Sequence, residues 1–240
     1  MCTVSYVPCR DGFVFTSNRD VSYLRTPAVP PKIHIEGHLP VLMPIDPQGE
    51  GTWIGVSPYF DVVCLLNGGF DFHQSAPPYR HSRGILVKNL LCASTFESFS
   101  ARLDCHNIEP FTLIAVKGQH IHELVWTGEK VHIQKLPPNE PHIWSSSTLY
   151  TPEMQAMRRQ WFEEHLSKYP HNAASMQIFH EKAGIGDPAV DVMMDRPSIQ
   201  VGTVSTTMVH QQKGRFFIHY WDRKTNEHKK LTFEPRISRP

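Results

Sequence analysis

The residues best suited to chemistry lie at the beginning of the chain. Cys2 follows Met1, and a small residue at position two is the usual condition for removal of the initiator. Removal leaves a thiol and a free α-amine on one Cα. An α-amine titrates near neutrality, so it can act as base for its own side chain. A guanidinium beside such a thiol favours the thiolate, and a carboxylate beside the amine holds it by hydrogen bonds. Arg19 and Asp20 supply both groups if the fold returns them to the start of the chain. Such a set attacks a carbonyl carbon with sulfur while the amine shuttles the proton.

The element that must return them is a hairpin. Asp11-Gly12 lies between β-branched and aromatic runs, a strong two-residue hairpin signal because both central residues take positive φ. With those two as the loop, Thr3 is expected to face Asp20 and Val4 to face Arg19. A second strand pair is expected over Thr52–Ser57 and Phe60–Asn67, joined at Pro58-Tyr59. Asn67 ends it before Gly68-Gly69, at a strand terminus from which a side chain reaches into a site.

These segments, taken together, resemble a known family. Met1-Cys2, Thr16-Ser17-Asn18-Arg19-Asp20, Gly51-Thr52-Trp53-Ile54-Gly55-Val56-Ser57 and Leu65-Leu66-Asn67 are similar to the NRDE family, the transport and Golgi organisation protein 2-like proteins. Ser82-Arg83-Gly84-Ile85-Leu86-Val87 and Gly202-Thr203 agree in order. The resemblance implies an α+β fold, a four-layer αββα sandwich of N-terminal-nucleophile-hydrolase type, as one domain over residues 1–240. It implies Cys2 as nucleophile with Arg19 and Asp20 as neighbours, and Asn67 as an oxyanion-hole group. Asn18, Trp53, Arg83 and Ser146 are the candidate substrate-binding residues. The fourth letter of the motif is replaced by Val21. Related hydrolases carry a further mid-chain Asn and a late Arg, where this chain has Ser145-Ser146-Ser147 and Val204-Ser205. A missing oxyanion donor costs about 3 kcal/mol of transition-state stabilisation.

The function implied is hydrolysis of linear non-peptide amide bonds. The alternative is a non-catalytic small-molecule binding or trafficking protein on the same fold, with haem as one candidate ligand. No cofactor and no metal is expected for the hydrolase.

Composition narrows the partners. The net charge of +1 over 240 residues argues against a nucleic-acid stripe or an electrostatic membrane surface. No apolar run approaches a membrane span, and no basic-then-apolar leader opens the chain. Five cysteines without a Cys-x-x-Cys pair favour free thiols, a reducing compartment and a cytoplasmic location. A small-molecule substrate or ligand remains; the sequence is silent on oligomeric state. His120 and His122 have metal-capable spacing, but no third ligand is near in sequence, and an exposed strand face is expected.

The remaining elements follow from pattern. The proline-rich stretch Thr26–Asp46 reads as an extended crossing with at most short strands. Helices are expected from Ser82 to Leu91, Thr95 to Leu103, Thr151 to Tyr169 and Asn172 to Lys182. Between the pairs of helices lies a meander over Phe111–Gln134. After them comes an irregular acidic segment, Asp187–Pro197, which reads as a flap. A second meander then covers Gln200–Phe233.

Overall fold

The computed structural model describes residues 3–235, so Cys2 lies outside the described residues. The chain forms two compact units, one from the N-terminal segment to Arg25 plus Asn139–Thr232, the other from Thr26–Pro138 plus the tail after Thr232.

The first unit opens with β1 (Thr3–Cys9) and β2 (Gly12–Ser22). They form the expected hairpin, but the loop is Arg10-Asp11 and Gly12 is already paired with Cys9. Neither Arg10 nor Asp11 takes a positive φ. Gly12 is needed instead for close approach: a Cβ there would stand 2.0 Å from the carbonyl oxygen of Gln211. The register therefore differs from the expected one by two residues. Thr3 faces Asn18, not Asp20, and Val4 faces Ser17, not Arg19.

The second unit begins with a further correction. The proline-rich crossing is a full hairpin of β3 (Val29–Glu36) and β4 (Leu39–Ile45), with Leu39, Val41, Leu42 and Met43 buried. The prolines are tolerated because of their parity. Leu42 exchanges both backbone hydrogen bonds with Val56, away from β3. Pro40 and Pro44 share that parity, so neither removes a β3–β4 bond. Pro30 and Pro31 fall where the register shifts, between Val29 and Lys32.

The unit's five-stranded sheet runs β5 (Ile54–Gly55), β6 (Val62–Asn67), β7 (Phe111–Lys117), β8 (His120–Trp126) and β9 (Val131–Leu136), antiparallel throughout. Two helices belong with it, α1 (Gly84–Leu91) and α2 (Phe96–Ser100). Leu86, Leu90 and Leu91 of α1 and Phe96 and Phe99 of α2 join Val63, Leu65, Leu113 and Leu124 in one core. The helix predicted to reach Leu103 stops at Ser100, although its Thr95–Ser98 capping box is complete.

The chain then returns to the first unit. β10 (His142–Ser145) pairs with β1. α3 (Pro152–Lys168) starts as the sequence signals, with Thr151 accepting from Met154 N, Pro152 at the first position and Glu153 in the first turn. α4 (Ala173–Lys182) is capped by Asn172. A short β11 (Asp195–Arg196) leads to β12 (Val201–Gln212), β13 (Arg215–Asp222) and β14 (His228–Phe233). The sheet order is β10-β1-β2-β12-β13-β14, with β11 on β12. Val7, Val14 and Met208 on one sheet face pack with Phe162, Met176, Phe179 and Val192. Phe162 and Phe179 meet edge to face at 5.4 Å between centroids.

Candidate active site

β2 is the central strand of the first unit and is buried from Phe13 to Val21. Successive side chains on a strand point to opposite faces. Asn18 and Asp20 therefore share the face that carries α4, and Arg19 lies on the other. The sequence reading placed all three together; the pleat separates them.

Asp20 is fully buried. Its Oδ2 accepts from the Tyr150 hydroxyl at 2.5 Å and its Oδ1 from the Thr203 hydroxyl at 2.7 Å. Thr203 Oγ1 in turn accepts from Met194 N at 3.0 Å. Burial pushes the Asp20 carboxyl above its usual range, while the two hydroxyls and the Arg158 charge oppose that rise. Arg158, from α3, is wholly buried, with its guanidinium carbon 3.4 Å from the Tyr150 ring centroid. Its Nη2 donates to the carbonyls of Val190 and Asp191. Tyr150 titrates well above its normal value because it is buried and faces Asp20. The result is a buried carboxylate held by two hydroxyl donors beside a cation, a fitting anchor for an ammonium group.

Arg19 is also buried, opposite Ser205, which pairs in turn with Asp222. Tyr220 lies on the same face one row away. Burial and the Asp222 carboxylate push its phenol up to about 12, against Ser205 and the Arg19 charge. A β-bulge arranges this. The register shift between Thr203 and Ser205 gives Thr203 to Asp20 and Ser205 to Arg19, although Thr203 and Ser205 are two apart and would otherwise share a face.

Asn18 is occupied structurally. Its Nδ2 donates to the carbonyls of His180 and Val192, both at 3.1 Å, and its Oδ1 accepts from Thr206 at 3.0 Å. His180 Nδ1 lies 3.2 Å from that same oxygen, which can only accept, so Nδ1 carries the proton. His180 Nε2 then accepts from the Ser5 hydroxyl at 2.8 Å. Ser146 is buried just past β10, with its hydroxyl 2.9 Å from that of Thr148 and its carbonyl accepting from Tyr150 N.

The other candidates lie in the second unit. Asn67 ends β6 opposite Phe111. Trp53 is buried, its carbonyl accepting from Leu65 N. Arg83 precedes α1, where Nη2 pairs with Glu109 at 2.8 Å and Nη1 donates to Pro110 O at 2.9 Å. The Gly-Thr-Trp and Ser-Arg-Gly segments meet through backbone. Thr52 N donates to Gly84 O, and a Cβ on Gly51 would stand 2.4 Å from the Gly84 carbonyl carbon.

The segment read as a flap is tied down. Arg158 holds Val190 and Asp191, Asn18 holds Val192, and Arg196 donates to Ala189 O and Leu149 O, both at 2.8 Å. The sequence reading missed Tyr150, Arg158, His180, Thr203 and Tyr220. The Gly202-Thr203 pair was the one available signal, since its threonine reaches Asp20.

Residues 1–224 match the Transport and Golgi organisation 2 family. The chain belongs to that family. Among solved structures, penicillin V acylase from Agrobacterium tumefaciens is similar, with a TM-score of 0.55 and 11% identity over 96% of this chain and 86% of that one. A variant of the conjugated bile acid hydrolase from Clostridium perfringens gives a TM-score of 0.50 and 13% identity over 100% and 99%. No curated protein sequence matches. The fold of this family member is thus the α+β αββα sandwich of N-terminal-nucleophile-hydrolase type. No helix among the described residues is long and apolar enough to cross a membrane, and no group of three or more His, Cys, Asp or Glu among them could hold a metal ion.

Proposed function

We propose that this chain is an N-terminal cysteine hydrolase of linear non-peptide amides, with Cys2 as nucleophile. The observation that carries the reading is the buried Asp20 carboxylate, held by Tyr150 and Thr203 on the strand that pairs with the chain's beginning. Cys2 is bonded to Thr3, with ~3.8 Å between successive Cα atoms, and Thr3 faces Asn18, the residue before Arg19. Burying a carboxylate costs several kcal/mol unless a cation completes it. Arg158 supplies one such charge, and a processed α-ammonium adds a second.

In the reaction, Sγ of Cys2 bonds to the amide carbon and the α-amine takes the thiol proton. Backbone N–H groups hold the oxyanion. The α-ammonium passes its proton to the departing nitrogen as the C–N bond breaks. Water then hydrolyses the thioester, its proton moving through the same amine, and the thiol is restored. Arg19 favours the thiolate and Asp20 holds the amine.

Penicillin V and a conjugated bile acid are the first substrates to assay, by analogy with the structural relatives. Intact mass should show loss of Met1 in the native host. Cys2→Ala should lower turnover by at least about a thousandfold, as expected for a lost nucleophile. Retained Met1, or an active Cys2→Ala protein, overturns the mechanism.

A non-catalytic binding role is the second reading, favoured by one observation. Arg83, a candidate substrate-binding residue, is already neutralised by Glu109. Saturable binding of either compound without turnover would select it.

A further inference from the structure

The second unit contains a cavity that the proposed chemistry does not use. It measures about 410 Å³ and lies between the Pro58–Phe60 turn, the start of α2 and the ends of β7, β8 and β9. Small-molecule sites occupy the range of roughly 300–1,000 Å³, with mostly apolar walls and a few convergent polar groups. Tyr59, Phe60 and Phe96 supply apolar wall here.

The titratable groups are two lysines, two histidines and one glutamate, with Ser94 and Thr95 adding hydroxyls. His122 is 6% exposed, so the expectation of an exposed strand face fails for it. Its ring stacks on Phe96 at 4.2 Å between centroids and 8° between planes. That stack fixes the ring and leaves its edge to bond. Its Nε2 is buried and has no hydrogen-bond partner among the described residues. Glu97 Oε1 stands 3.7 Å away, beyond hydrogen-bond distance. A buried polar nitrogen without a partner costs free energy that a ligand can recover.

Lys135 faces His122 directly across the β8–β9 pair, and directly opposed side chains stand about 5 Å apart at Cβ. Lys135 has no ion-pair partner among the described residues, whereas Lys117 stands 3.8 Å from Asp61. His120 faces Lys117 on the next pair. Glu97, the one carboxylate of the lining, has a side chain 69% exposed and free to turn toward water.

We propose that this cavity binds a small, flat, apolar carboxylate. One carboxylate oxygen takes the Nε2–H of His122 and the other the Lys135 ammonium, while the apolar body lies against Tyr59 and Phe60. Lys117 adds attraction at the rim. The site is independent of Cys2 and of amide hydrolysis.

The test uses the full chain and 2-naphthoate, followed by its fluorescence and by calorimetry at low ionic strength. Saturable one-to-one binding is expected, with 2-naphthylmethanol roughly tenfold weaker because it lacks the charge. Lys135→Gln and His122→Phe should each weaken naphthoate about five- to tenfold. His122→Phe keeps a ring on Phe96, and the surface Lys135→Gln keeps the test open if that variant fails to fold. Glu97→Gln should tighten binding by removing like charge. Cys2→Ala should bind as the parent does. Four results would overturn the proposal: no saturation at millimolar naphthoate, equal binding of the neutral alcohol, indifference to the Lys135 change, or loss of binding in Cys2→Ala.

Discussion

At the scale of single residues, His180 shows most plainly what the family motif's asparagine does. The imidazole is wholly buried under α4, and burial, with the charge of His165, lowers its pKa to about 3. It is therefore neutral in the folded state, bonded to Ser5 and Asn18. An unfolded histidine titrates at about 6.5. Between those values the unfolded chain binds the extra proton, so stability is fully present above about 6.5 and is lost as pH falls toward 3. The slope from this one group is about 1.4 kcal/mol per pH unit. His180→Gln should cost about 1–3 kcal/mol at pH 7.5 by leaving buried partners unmatched. It should also flatten the decline between pH 6 and 4 by about one proton. Urea unfolding across that range measures both effects; an unchanged slope would show that His180 is not the titrating group. Asn18 thus fixes α4 on the sheet, and Arg19 and Asp20, which follow it, inherit its position.

At the scale of elements, the segment from Gly186 to Arg196 is held by its own Arg196 and by Asn18 and Arg158 from elsewhere. Arg196 joins Ala189 O, Leu149 O and the sulfur of Met154, and its guanidinium lies 5.4 Å from the Tyr150 ring centroid. Arg196→Ala should raise amide exchange around residues 189–192 by at least about tenfold, since each lost bond to a charged donor is worth about 1.5–3 kcal/mol. Exchange confined to the parent rate would mean that Arg158 and Asn18 suffice. The sequence alone read this segment as a flap because its composition is irregular and acidic. Besides Arg196, the groups that hold it come from β2 and α3, distant in sequence, and leave no local pattern. The same reason hid the partners of Asp20: Tyr150 and Thr203 stand 130 and 183 residues away along the chain. Elements with local signals were legible. Thr151-Pro152-Glu153 began α3 and Asn172 capped α4 where expected. The first hairpin was legible as an element, but Asp11-Gly12 misled its register, because Gly12 serves a contact with Gln211 that only the tertiary fold supplies. Prolines hid the β3–β4 hairpin because composition does not reveal which edge of a strand each proline faces.

At the scale of the whole molecule, the thiols offer a way to ask whether the beginning of the chain is chemically distinct. Of the five cysteines, the four within the described residues are free. Cys64 is fully buried. Burial pushes the thiols of Cys9 and Cys92 up and that of Cys105 up to about 11, with Asp104 adding to the last. Thiolate is the reactive form, and a thiol at or above its ordinary value is a few per cent ionised or less at neutral pH. None of these four should react quickly with an aromatic disulfide reagent in the native protein. A Cys2 thiol favoured by Arg19 and an adjacent amine should. The expected result at pH 7 is one fast equivalent in the native chain and five in denaturant, with the fast equivalent absent from Cys2→Ser. The fast phase should outpace the rest by at least about tenfold and fall off only in acid, as a lowered thiol pKa requires. A fast phase that survives in Cys2→Ser would assign reactivity to a buried cysteine and contradict the packing. Its absence from the parent chain would remove the nucleophile from the proposed hydrolase while leaving the αββα fold untouched, since the fold stands on the family match and the structural likeness rather than on that sulfur.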